Sequence, residues 1–126
     1  MNQQQFFEHI NQSFTDGLEL VRRKNTDYSG SADPFKNFRS AEVIGVGVDK
    51  AILVRILDKI ARIGNLLDTE AQVKDESIDD TLIDAANYLL ILKAYLYDER
   101  TKKQKKNGIL ARKKKEHRRK IKNEFS

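Results

Sequence analysis

Residues 75–97, DESIDDTLIDAANYLLILKAYLY, constrain the fold more than any other stretch of this chain. The first two turns are acidic and the last three almost wholly apolar. At about 100° per residue, Glu76, Asp80, Asp84 and Asn87 lie within an arc of about 80°. Ile91 and Ala94 continue the same arc. A stripe that passes from carboxylates to aliphatics without changing face runs from a cleft into a core. Such a helix needs helical companions, so the expected fold is all-α, a bundle of three main helices. Residues 89–96 are apolar nearly all round, more than two companions of this size can cover, so a homodimer or larger assembly is expected.

The companions are legible upstream. Over residues 3–24, Phe6, Phe7, Ile10, Phe14, Leu18 and Val21 share an arc of about 120°, with Glu8, Gln12 and Glu19 opposite, which predicts an amphipathic helix ending near Asn25. Residues 49–67 predict a second, with Arg55, Asp58, Lys59, Arg62 and Asn65 in one sector. In that sector Asp58 is spaced to hold Arg55 and Arg62 at once. Residues 68–74 read as a polar connector. Ser77 then suits an N-cap with Asp80 three residues on, a pairing that accounts for Asp79 and Asp80 but not for Asp84 or Asn87.

A long loop is expected between the first two helices, because residues 24–39, KNTDYSGSADPFKNFR, gather Gly, Ser, Asp and the only proline, Pro34. Tyr28, Phe35 and Phe38 can stack on a base or sugar, Lys24, Lys36 and Arg39 can meet phosphate, and Asn37 can read a base edge. Three aromatic anchors holding a surface loop are the alternative; loops of this length usually carry a role, which favours the ligand reading. The VIGVGV run at 43–48 lacks the GK[ST] of a phosphate loop and reads as a flexible turn before an N-capping Asp49.

Charge divides the chain. Residues 100–126 hold thirteen Lys or Arg against two Glu, a net +11 within an overall +5, so residues 1–99 carry −6. The expected organisation is a helical nucleotide-handling domain over 1–99 and a basic tail over 100–126, frayed or disordered, able to bind nucleic acid non-specifically or an acidic partner. With no cysteine and two distant histidines, thiolate and histidine-cluster metal sites are excluded within one copy. No basic-then-apolar leader opens the sequence, and the longest apolar run, 88–92, is far too short to span a bilayer. A cytoplasmic protein without membrane association is expected.

Three carboxylates beside an amide suit a hard, oxygen-preferring ion, which makes Glu76, Asp80 and Asp84 candidate ligands for Mg²⁺. Mg²⁺ sites are usually completed by substrate phosphates, which Arg55, Lys59 and Arg62 could meet. The implied ligand is a nucleotide.

Three motifs span residues 24–92: K-N-x-D-Y at Lys24, Asn25, Asp27 and Tyr28; R-x-x-D-K-x-x-R at Arg55, Asp58, Lys59 and Arg62; and E-S-x-x-D-T-x-x-D-x-x-N-Y from Glu76 through Asp80, Asp84 and Asn87 to Tyr88. Together they resemble the phage and prophage family called nucleotide modification associated domain 1. The resemblance implies an all-helical fold and a role in phage nucleotide metabolism or base modification. The candidate nucleotide contacts are Lys24, Asp27, Tyr28, Asn37, Phe38, Arg55, Asp58, Lys59, Arg62 and Asn87, and the candidate catalytic groups are Glu76, Asp80 and Asp84. A looser resemblance is to the all-α NTP pyrophosphohydrolases, Mg²⁺-dependent and often dimeric. Glu76 and Asp79 match half of their acidic signature, but no E-x-x-E pair occurs anywhere in this chain. A non-catalytic module that binds or sequesters a nucleotide is therefore the alternative to a hydrolase.

Overall fold

The apolar periodicity is realised as three α-helices, α1 (Gln3–Tyr28), α2 (Val48–Leu67) and α3 (Ala71–Glu124), with a 3-10 helix at Lys36–Ile44 before α2. The structure, a computed structural model, describes residues 1–28, 32–69 and 71–124, and the side chains of all of these except 27, 28 and 71–76. Among the described residues there is no strand, and the fold is all-α. The chain divides into two compact units, Met1–Lys93 and Ala94–Ser126.

In the first unit the core is a narrow seam. Val48, Ile52 and Ile56, spaced four apart on α2, are buried together with Phe35, Ala85 and Thr81. That spacing puts the three α2 side chains on one helix face, where burial of each stabilises by roughly 1.5–3 kcal/mol. Phe38 of the 3-10 helix meets Tyr88 of α3 edge-on, with ring centroids 6.2 Å apart. Thr81 fills its buried position without an orphaned hydroxyl: it donates to the Ser77 carbonyl (2.6 Å) and accepts from Arg62 Nε (3.2 Å). On the other side of α3, Asn87 Nδ2 donates to the Gly17 carbonyl of α1 at 3.1 Å. Glycine at position 17 suits this approach, because a Cβ there would lie 3.0 Å from Asn87 Oδ1 and push that side chain back by a few tenths of an ångström.

The seam leaves much apolar surface uncovered. On α1, Phe6, Phe7, Ile10, Phe14 and Leu18 stay 41–60% exposed while Val21 is half-buried, so most of the predicted apolar arc faces outward and α1 meets α3 at Gly17. Leu53, Leu57 and Ile60 of α2 and Leu82, Leu89 and Leu90 of α3 are also exposed.

Several boundaries differ from those expected. α1 continues past Asn25 to Tyr28, since the polar residues there are absorbed by the helix: the Thr26 hydroxyl donates to the Arg22 carbonyl (2.9 Å). The last four residues of the expected loop open the 3-10 helix, preceded by Asp33, whose carboxylate accepts from the Phe35 amide and from Arg39. Gly45 ends it in the left-handed region (φ 77°), which Gly adopts without steric cost. The N-cap of α2 is Gly47 rather than Asp49, which sits in the first turn. Likewise Ser77 is not an N-cap, because α3 begins at Ala71. Residues 71–76, AQVKDE, contain no Gly or Pro to delay the helix. The basic tail, expected frayed or disordered, is helical to Glu124, in keeping with the high helix propensity of Lys, Arg, Gln and Glu.

With so few buried side chains, each matters. Ile52→Ala should lower the unfolding free energy by about 2–5 kcal/mol, measured by urea denaturation followed by circular dichroism.

Candidate functional site

Because α3 begins six residues before Ser77, Asp79 and Asp80 lie in its third turn, where neither capping nor the helix dipole calls for acids. They face a cleft. Its volume is about 660 Å³, within the range of small-molecule sites. The α3 wall carries Asp79, Asp80 and Asp84, and the α1 wall carries His9, Ser13, Asp16, Arg23 and Lys24. Leu20 of α1 and Leu82 and Ile83 of α3 supply apolar surface. The cleft thus has acids along one side and bases at one end of the other.

Asp84 is the junction of the three helices. Lys24 of α1 approaches its Oδ1 at 3.4 Å and Lys59 of α2 its Oδ2 at 3.1 Å. The carboxylate side chain is 20% exposed, so it is shielded more than a free surface acid. Nearby, Asp16 accepts from Gln12 Nε2 (2.8 Å) and the Ser13 hydroxyl donates to the His9 carbonyl (2.9 Å), both within α1.

The structure brings together Lys24, Lys59, Asp80 and Asp84 of the residues selected from sequence. Asn87 is near by, with its amide engaged by Gly17. Arg62 turns to Thr81, and Asp58 forms no ion pair among the described residues, so the expected bridge from Asp58 to Arg55 and Arg62 is absent; Arg55 and Asp58 are both exposed on α2. In the 3-10 helix Asn37 is exposed and Phe38 half-buried against Tyr88, a packing role for Phe38. Arg39 is bound by Asp33 and Glu42; the hydrogen bond it donates to Asp33, more than any other influence, raises its pKa and holds the guanidinium charged. The side chains of Glu76, Asp27 and Tyr28 lie outside the described residues.

Sequence reasoning picked out Lys24 and missed the rest of the α1 wall. His9, Ser13, Asp16, Leu20, Arg23 and Lys24 fall within an arc of about 100° flanking the aromatic stripe, a pattern visible in the spacing 9, 13, 16, 20, 23. The stronger aromatic signal beside it drew attention away. The donor chemistry of the α3 wall, oxygen only, is that of a Mg²⁺ site. Among the described residues, however, no group of three or more His, Asp or Glu side chains converges to hold a metal ion.

No known protein family matches the chain, and neither curated proteins nor solved structures yield a similar protein. Among the described residues no helix is long and apolar enough to cross a membrane.

Replacing Asp84 by Asn leaves two ammonium groups facing each other across a neutral amide. Asp84→Asn should cost about 1 kcal/mol of stability at low salt, and the difference from the parent should shrink in about 1 M salt, where the Debye length falls to about 3 Å. Paired urea titrations at the two salt concentrations measure it.

Proposed function

We propose that the first unit is a nucleotide-handling domain of the phage nucleotide-modification type, with the α1–α3 cleft as its ligand site. The observation that carries this reading is the polarity of the cleft, with Arg23 and Lys24 at one part of its lining and Asp79 and Asp80 along the other. A nucleotide has the matching polarity: anionic phosphates for the bases, ribose hydroxyls that donate to carboxylates. Leu20, Leu82 and Ile83 offer apolar surface for the nucleobase. The three motifs over residues 24–92 support the same reading.

In a catalytic version the domain would act as a Mg²⁺-dependent pyrophosphohydrolase. The described side chains do not make a metal centre by themselves, so Mg²⁺ enters this version only with Glu76, one turn before Asp80 on α3, beside Asp80 and Asp84. A metal there would supply charge neutralisation for the phosphates and a water of lowered pKa. Lys24 and Lys59 would hold the phosphates, and Asp80 the ribose.

The non-catalytic reading is favoured by Asp84. Both its oxygens already face ammonium groups, which leaves it poorly disposed to accept a cation and makes the site a place where an entering phosphate competes for Lys24 and Lys59. Calorimetric titration with nucleoside mono-, di- and triphosphates, with and without Mg²⁺, tests both versions. Binding should weaken about tenfold in Lys24→Ala, the equivalent of about 1.4 kcal/mol. Phosphorus NMR of the same mixtures separates them: pyrophosphate release indicates the enzyme, an unchanged ligand the binding module. No heat with any nucleotide would sink the proposal.

The uncovered faces support the further proposal that the first unit pairs with a second copy. The exposed portions of the five large α1 side chains amount to roughly 500 Å², already a large share of the ~800 Å² per partner of a stable dimer. Those five side chains are uncharged, so the stripe is complementary to itself, as a two-fold interface requires. Light scattering should give twice the chain mass at micromolar concentration, and Phe14→Glu should shift it to the mass of one chain; a single-chain mass for the parent would exclude the pairing.

A further inference from the structure

The second unit is a helix with almost nothing of its own to bury. From Lys102 to Glu124 every residue is exposed. Acids appear at its start, where Lys102 pairs with Asp98 (3.1 Å) and Glu99 (3.7 Å). Beyond them, residues 103–122 hold eleven Lys or Arg against one acid, Glu116. None of those eleven forms an ion pair among the described residues.

The distribution of these charges identifies the kind of partner they fit. At about 100° per residue, each sixth of the helix circumference over 103–122 carries at least one Lys or Arg. Lys103 and Lys114 share the sector of Leu110 and Ile121, and Ile109 lies about 100° from Leu110, so no apolar face forms. A helix that lies on a membrane needs such a face opposite its basic one. An acidic protein surface would meet one side of the helix and leave the other side's repulsions in place. A duplex groove differs from both, because it has phosphates on two walls as well as a floor of base-edge acceptors.

The dimensions agree. A helix with its side chains is about 10–12 Å across, and the major groove of B-DNA is about 12 Å wide. Residues 103–122 span about 30 Å, close to one duplex turn, over which DNA presents one phosphate charge per ~1.7 Å. Like charges four apart, such as Lys114 with Arg118, Lys115 with Arg119 and Arg118 with Lys122, oppose the helix in water. Phosphates on both walls relieve that repulsion on every side of the helix that faces into the groove.

We infer that residues 103–122 form a groove-binding arm for double-stranded nucleic acid, recognising backbone charge and groove width rather than sequence. The inference is independent of the nucleotide reading of the cleft. Arg112, Lys113, Lys114 and Lys115 make up its densest basic run, and Asn107 and Gly108 lie just before it.

The test uses the full chain and a fluorescent duplex of about 20 base pairs, with anisotropy followed across a salt series. With six to ten phosphate contacts, log K should fall with log salt at a slope of about −5 to −9. The triple variant K113Q/K114Q/K115Q should bind at least tenfold more weakly and lose about 2–3 units of slope. Its circular dichroism without nucleic acid should show at least the parent's helicity, since the substitutions remove like-charge pairs, which separates lost contacts from lost structure. The parent's helical signal should rise on adding duplex. Absent or salt-independent duplex binding, or unchanged binding by the triple variant, would overturn the inference. So would equal affinity for single-stranded DNA of the same length, for polyglutamate or for anionic vesicles, since each lacks the two-walled groove.

Discussion

One carboxylate touching two ammonium groups from different helices fixes where the first unit's three helices meet. Asp84 holds Lys24 of α1 on one oxygen and Lys59 of α2 on the other. Energetically the buried seam of Val48, Ile52 and Ile56 outweighs it, since partly exposed ion pairs contribute about 1 kcal/mol or less. What the ion triad adds is direction. Apolar packing tolerates sliding along a helix, whereas two charges approaching separate oxygens define a register. Asp84 and Lys24 of the triad also line the cleft, so the contact that orients the helices contributes to the electrostatic balance there.

How much of this was legible in the sequence depends on the range of the interaction. The all-α class and three main helices follow from apolar periodicity, which is local and read directly from residue spacing. Asp84 stands out in the sequence as an acid too deep in its helix for capping, and with α3 beginning at Ala71 the same holds for Asp79 and Asp80. Its two lysines could not be paired with it from spacing, because Lys24 is sixty residues away. Asp58 shows the converse. Its spacing to Arg55 and Arg62 suits intrahelical ion pairs, yet Arg62 instead serves Thr81, a buried hydroxyl with the stronger need for a partner. The end of α1 was misplaced because Thr signals a boundary, but inside a helix its hydroxyl can bond a carbonyl one turn back, as Thr26 does and as Thr81 does within α3.

The aromatic stripe of α1 presents a different conflict. Its periodicity predicts a core face, but the packed edge of α1 is the neighbouring line through Gly17, where the helix backbone is small enough to come close. A narrow helix surface wins the intrachain contact, and the bulky face is left outward. Periodicity therefore found the apolar face and gave no information on which molecule covers it. The Leu82, Leu89 and Leu90 surface of α3 follows the same pattern: residues apolar nearly all round cannot all be satisfied by two neighbours.

Gly17 has one more consequence. The missing Cβ lets the Asn87 amide sit against the α1 backbone, making this crossing a fulcrum between two stiff rods. A Cβ at position 17 would press first on the Asn87 side chain, 3.0 Å away, so added bulk acts on the one bond that ties the two helix backbones at this point. The walls of the cleft are built on those same two helices. Their spacing is thus coupled to a position outside the cleft lining.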